Sequence, residues 1–259
     1  MPENIPDWAK VPFKNFIDGA SDLYEIIDLT KWGLLMSTAL PKVCQNLATP
    51  GTSQEMLNDI EQKGLKAQKI LDNKFPIIIS QAVITLWTLI ESTFRDFFAS
   101  WLINIPQARQ SAAIRKLKFS LGEYESFTDA EKYYYILDAL EDSLGTKRCP
   151  GIARFEALFD LYNLSSKIED KVKKVLFELS QVRNVLVHRH GIVDSKIIGN
   201  CPWLNLALNE KLIIKEETYK KYNMVASYYI LECGNRVRKY FGLDRYEEGV
   251  PPINEFLRD

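Results

Sequence analysis

The 259-residue sequence predicts an all-α protein. Three observations carry that reading. Apolar residues recur at helical spacing over long windows. Capping pairs in which Ser or Thr is followed three residues later by Glu precede several of those windows. Glycines stand where the patterns stop, at Gly145 and Gly191.

The elements follow in order. After a lead punctuated by Pro2, Pro6 and Pro12, residues 13–46 read as helical, with Pro41 predicted to end or kink the segment because it lacks an amide proton and clashes with the preceding turn. Thr52 and Glu55 predict the start of a helix running to about Asn73. The next helix spans Phe75 to Asn104, with Pro76 tolerated in its first turn. Its apolar stretch, Phe75 to Leu102, is interrupted by Ser80, Gln81, Thr85, Glu91, Arg95 and Asp96, so it reads as a core helix and no membrane span is expected. Trp32, Trp87 and Trp101 are taken as core. A shorter segment, 107–119, gathers Arg109, Arg115, Lys116 and Lys118.

Thr128 with Glu131 caps a helix ending near Gly145, and Ser166 with Glu169 precedes a helix over 167–190 that Gly191 stops. From Ile192 to Ile198, and again from Leu204 to Ile214, the pattern suits a short β-hairpin near 192–214 or an ordered excursion. Residues 217–241 return to helix, with Tyr222, Val225, Tyr229, Leu231 and Val237 as candidate core positions, and the tail with Pro251 and Pro252 reads as irregular.

Composition bounds the function. Hydrophobic residues make up 46% of the chain, enough for a sizeable core, and 33 basic against 34 acidic residues leave a net charge of −1. No global field therefore draws the protein to nucleic acid or an anionic membrane, and any basic surface must be local. Cys44, Cys149, Cys201 and Cys233 are far apart, with no CxxC pair and no neighbouring histidine to complete a zinc site. They suit a reducing cytoplasmic compartment. The acidic first thirty residues do not resemble a secretory signal. The phosphate-loop, dinucleotide, zinc-protease and nucleophile-elbow signatures do not occur, and no metal or cofactor is expected.

Chemistry concentrates in Leu179-Ser180-Gln181-Val182-Arg183-Asn184-Val185-Leu186-Val187-His188-Arg189-His190-Gly191, which holds both histidines of the chain. On a helix, Asn184 and His188 are i,i+4 neighbours, while Val175, Leu179, Val182 and Leu186 form the apolar stripe. Five positions separate Arg183 from His188 by about 140° of helix rotation, so one regular helix does not aim both at one point.

The Arg-Asn-x3-His run followed by Gly resembles the R-x(4–6)-H signature of the HEPN superfamily. So does its context: HEPN proteins are helical bundles with this motif near the end of a late core helix. An earlier apolar helix like Trp87 to Arg95 often carries an acidic residue facing the site, here Glu91. The resemblance implies a HEPN-like domain over 76–241 with an insertion at about 105–149, an N-terminal helical extension over 1–75 and a tail over 242–259. It also implies metal-independent RNA cleavage by a homodimer whose motif helices form a composite cleft, in a toxin–antitoxin or antiviral defence setting with an antitoxin or defence-system partner protein.

The residue chemistry is compatible with that. Imidazole exchanges protons near neutral pH, and a guanidinium stabilises a crowded phosphate. His188 is then the acid/base, Arg183 the phosphate clamp, Asn184 an orienting amide and Glu91 the residue that holds Arg183 or His188. His190, Arg189, Arg115 and Lys118 are candidates for binding RNA, as are Arg236, Arg238 and Lys239. The tyrosine that precedes the motif histidine in some HEPN toxins, and is modified by a partner enzyme, is replaced here by Leu186-Val187, so that control is not implied.

Structural readings stand beside each of these. Arg and His near a helix C-terminus complement its dipole, Glu91 pairs with Arg95 at i+4, basic runs are usually solvated faces, and Tyr133-Tyr134-Tyr135 packs rather than stacks on bases. The runner-up function is a non-catalytic HEPN-like module that binds RNA, nucleotide or a partner protein.

Overall fold

The computed structural model describes residues 5–49 and 52–247, and within them the chain is mostly helical, with no strand beyond one isolated bridge. The helices are α1 (Asp7–Leu47), α2 (Gln54–Asp72), α3 (Pro76–Asn104), α4 (Pro106–Arg109), α5 (Ala112–Arg115), α6 (Leu121–Ser126), α7 (Asp129–Leu144), α8 (Ala153–Leu161), α9 (Asp170–His188), α10 (Ser195–Asn200) and α11 (Glu216–Tyr240). Pro2, Pro251 and Pro252 lie outside the described residues.

The apolar helix α3 is the hub, packed against α1, α7, α9 and α11. It is the one described helix long and apolar enough to cross a membrane, yet Ile79, Val83, Leu86, Ile90, Phe94, Phe97, Phe98 and Leu102 are buried inside the bundle. Pro76 occupies its first turn, where its missing amide proton costs nothing. Phe94 stacks at 4.5 Å on Phe155 of α8, and Phe98 meets Phe159 edge-on at 5.0 Å. Truncating one such ring to alanine typically costs about 3–5 kcal/mol.

Several sequence expectations are corrected. Helix α1 neither starts at 13 nor breaks at Pro41; it runs through that residue to Leu47. The Pro41 ring packs on Gly64 of α2, where an added Cβ would lie 2.7 Å from the ring, so interhelical packing offsets the lost hydrogen bond. The cap of α2 is Ser53, whose Oγ accepts from the Met56 amide, while Thr52 Oγ1 accepts from the Thr49 amide. Thr128 and Glu131 do form the reciprocal capping box of α7.

At the start of α9 the capping pair does not form. Glu169 precedes the helix without a side-chain cap, and Ser166 Oγ instead accepts from Arg236 Nε at 2.9 Å. Trp87 and Trp101 are core, whereas Trp32 is 62% exposed. In α11, Tyr222, Val225, Tyr229 and Val237 are buried as expected, with Ile230 and Cys233 completing the face that Leu231 only partly joins.

The hairpin expected near 192–214 is absent among the described residues. One antiparallel bridge, Ile192 to Lys211, is all that remains, flanked by bonds from the Val193 amide to the Glu210 carbonyl and from the Leu212 amide to the Gly191 carbonyl. Asp194 decides the outcome: its side chain accepts from the Ile197 amide at 3.0 Å and turns the following residues into α10. The excursion reading holds.

Candidate functional site

Helix α9 delivers the motif because its apolar stripe is sunk in the core. Val175, Leu179 and Val182 are buried against the bundle, which fixes the rotation of every other side chain on the helix. The helix ends at His188. His190 and Gly191 then take left-handed conformations, with φ of 50° and 75°, and the Gly191 amide returns to the Val185 carbonyl at 3.0 Å. The φ of 75° at 191 favours glycine, because other side chains rarely adopt that conformation, and the neighbouring Lys211 Nζ donates to the His190 carbonyl.

Arg183 turns toward α3. Its Nη2 donates to Glu91 Oε2 at 3.5 Å, and its Nη1 donates to Asn184 Oδ1 at 3.3 Å. The other Glu91 oxygen accepts from Arg154 Nη1 of α8 at 3.1 Å, and Arg154 Nε reaches Glu141 of α7 at 3.2 Å. One carboxylate on the central helix thus bridges two guanidiniums. The i+4 pairing of Glu91 with Arg95 does not form: Arg95 makes a two-pronged pair with Asp138 at 2.8 and 2.7 Å.

His188 turns away. It is exposed and lines a cavity of about 270 Å³ with Gln181, Asn184, Val185, Arg189, Asp194, Lys196 and Ile197. Asn184 and His188 share this face, as their spacing requires, and Asn184 joins both halves of the site by also accepting from Arg183. In its floor Gln181 is buried, and its Oε1 accepts from Asn200 Nδ2 at 2.8 Å, joining α10 to α9. The groove is lined by an imidazole, an amide, the cations Arg189 and Lys196 and the carboxylate of Asp194, a set able to hold an anion and move a proton.

The remaining sequence candidates scatter. His190 and Arg189 are exposed at the helix end, and of the two only Arg189 lines the groove. Arg115 and Lys118 are exposed on the 105–149 segment and neither lines it. Lys118 instead borders a cavity of about 490 Å³ whose walls include Asp138 and Asp142.

Two of the three basic residues near the end of α11 are not surface groups. Arg236 is buried, donating twice to Glu156 at 3.0 Å, and Arg238 is buried beside the Asp244 carbonyl. The tyrosine triplet ties the 105–149 segment down: Tyr133 OH accepts from Arg109, Tyr134 OH donates to Asp96 at 2.8 Å, and Tyr135 OH donates to Glu123. Burial and the Asp96 carboxylate push the Tyr134 phenol up to about 12.

Sequence reasoning missed Arg154, Asp194 and Lys196. Arg154 belongs to no motif, and only packing of α8 beside α3 brings it to Glu91. Asp194 had a legible signal, a capping residue three before Ile197, which the β-branched pattern concealed. Among the described residues no three His, Cys, Asp or Glu side chains cluster as a metal site. No protein-family model, curated protein or solved structure matches this chain.

Proposed function

We propose that this protein is a HEPN-like, metal-independent endoribonuclease, acting as a homodimer in a toxin–antitoxin or antiviral defence setting. The observation that carries the reading is Asn184, which lines the groove with His188 and also accepts from Arg183, the guanidinium held by Glu91 of α3. In this mechanism His188 exchanges the proton of a ribose 2′-hydroxyl as that oxygen attacks the adjacent phosphorus. The bond from phosphorus to the 5′-oxygen breaks as His188 returns that proton to the leaving oxygen, and a 2′,3′-cyclic phosphate remains. Arg183 meets the charge that develops on the phosphate, Asn184 orients the imidazole, and Glu91 sets the guanidinium in place. Because Arg183 and His188 diverge on one helix, the reading pairs the Arg183 of one protomer with the His188 of its partner.

The second reading, a non-catalytic RNA- or partner-binding module, draws on a specific observation. Arg183 is held by Glu91 and Asn184, its Nε is buried without a partner, and it does not line the groove that His188 borders, so a phosphate in that groove is not within its reach on the same chain. Purified protein incubated with RNA in EDTA, beside His188→Ala, separates the two. The ribonuclease reading expects cleavage with cyclic phosphate ends that the variant lacks. RNA binding without cleavage in the wild type supports the module.

A further inference from the structure

Between the irregular stretch that follows α5 and one face of α7 lies the cavity of about 490 Å³ that Lys118 borders, and it shares no residue with the His188 groove. That volume falls in the range of sites that take a small ligand. From α7 the wall receives Tyr135, Asp138, Asp142 and Ser143, whose spacing places them on one face of the helix. From the stretch before α6 come Lys116, Lys118 and Phe119.

Phe119 is an aromatic platform. Tyr124 lies near-parallel to it at 5.3 Å, with 26° between the rings, and Tyr135 meets it edge-on at 5.6 Å. The Tyr135 hydroxyl donates to Glu123 at 2.9 Å, which fixes that ring in turn. Phe119 nevertheless stays 40% exposed. A ring braced by two neighbours and still bare offers a planar ligand a stacking face at little ordering cost.

Charge narrows the ligand further, because the four charged side chains of the wall are not equivalent. Asp138 spends both oxygens on Arg95, at 2.8 and 2.7 Å, and Asp142 accepts from Lys147 at 2.7 Å. Neither of those cations lines the cavity, so both acids are neutralised from outside it. Lys116 and Lys118 are exposed and pair with no described carboxylate, which leaves their two charges to meet an anion. Ser143 adds a hydroxyl that no other described group uses. A planar ring with polar edges, joined to an anion, is the chemistry of a nucleoside phosphate.

We propose that this cavity binds one nucleoside monophosphate unit, its base stacked on Phe119 and its phosphate held by Lys116 and Lys118, as a free nucleotide or as one link of a single-stranded RNA. No step of cleavage enters, so the site stands apart from the ribonuclease reading.

The test uses the full chain and two probes that 2′-hydroxyl attack cannot cleave, 5-iodouridine 5′-monophosphate and a 2′-O-methyl RNA hexamer with one 5-iodouracil base. Ultraviolet cross-linking followed by peptide mapping should place the adduct on Phe119 or Tyr135. Phe119→Leu keeps an apolar side chain but removes the stacking face, and should weaken binding of both probes about 5–100-fold. Lys116→Gln/Lys118→Gln should weaken both as well, and for the hexamer should lower the slope of log affinity against log salt by about 1. Lys66→Gln/Lys69→Gln, on the exposed side of α2, is the control and should change neither. A hexamer bound at least about tenfold more tightly than the mononucleotide identifies RNA as the source, and a smaller difference identifies the free nucleotide. Should a variant lose its helical circular dichroism, the adduct map on the wild-type chain decides. The proposal is overturned if neither probe binds at millimolar concentration, if either folded cavity variant keeps wild-type affinity, or if adducts are confined to α9. That last result would put the nucleotide at the His188 groove and leave the ribonuclease reading standing.

Discussion

Glu91 and Arg183, 92 positions apart in the chain, meet at 3.5 Å where α3 crosses α9, and the same carboxylate holds Arg154 at 3.1 Å. The glutamate lies in the middle of the most apolar described helix, beside the buried Ile90, with its own side chain 27% exposed. Two cations from two other helices pair with this partly covered carboxylate and offset its partial desolvation. The position of the candidate phosphate clamp therefore depends on a helix that carries no other part of the motif.

Glu91→Gln should cost about 1–3 kcal/mol, since a neutral amide replaces a charged acceptor for two guanidiniums. Under the ribonuclease reading it should also lower cleavage on the order of 100-fold through loss of Arg183 alignment. Arg95→Ala is the control, because Arg95 pairs with Asp138 and not with Glu91. Thermal unfolding and cleavage measured on both variants decide this: equal cleavage by the two would remove Glu91 from the site.

His188→Ala should unfold like wild type within about 0.5 kcal/mol, because the side chain is exposed at the helix end. If His188 is the acid/base, cleavage should fall about 10²–10⁴-fold, while His190→Ala should be much milder. Arg183→Ala should lose cleavage with a measurable loss of stability as well, since it removes an ion pair and a partly buried stem. The readout is cleavage plotted against melting temperature for all three. A folded His188 variant that cuts normally defeats the mechanism.

Arg236→Ala should destabilise the protein by about 3–5 kcal/mol, because it strands Glu156 with only the Tyr229 hydroxyl and removes a bond to Ser166. RNA affinity should be unaffected in variants that still fold, since Arg236 is not on the surface. Urea unfolding of Arg236→Ala beside Arg236→Met/Glu156→Leu provides the check, with the double variant expected to recover part of the loss.

Alkaline pH should unfold the chain through its buried tyrosines. Burial raises the phenols of Tyr162, Tyr222 and Tyr229 and pushes Tyr219 up to about 12. The folded state thus keeps protons that the unfolded chain releases near pH 10, so this contribution is complete below about pH 10 and is lost as pH rises beyond it. Phenolate absorbance should show fewer than the 12 tyrosines of the chain ionising before helical circular dichroism collapses. Ionisation of all twelve with the helices intact would contradict the burial.

Helical periodicity, capping chemistry and stopping glycines are local properties, and for that reason the sequence by itself determined the all-α class, the span of α3, the Thr128–Glu131 box and the end of α9 near Gly191. It also determined that Asn184 and His188 share a face while Arg183 diverges from them, because rotation along a helix depends only on spacing. Only the tertiary structure decided the rest. Whether Pro41 breaks α1 depended on Gly64 of another helix, and whether Glu91 pairs with Arg95 or Arg183 depended on where α9 crosses α3. Whether Arg236 and Arg238 were surface charges depended on Glu156, Ser166 and the chain after α11. Each of these outcomes is a competition between a local partner and one brought from far along the chain, and the distant partner exists only once the bundle has formed.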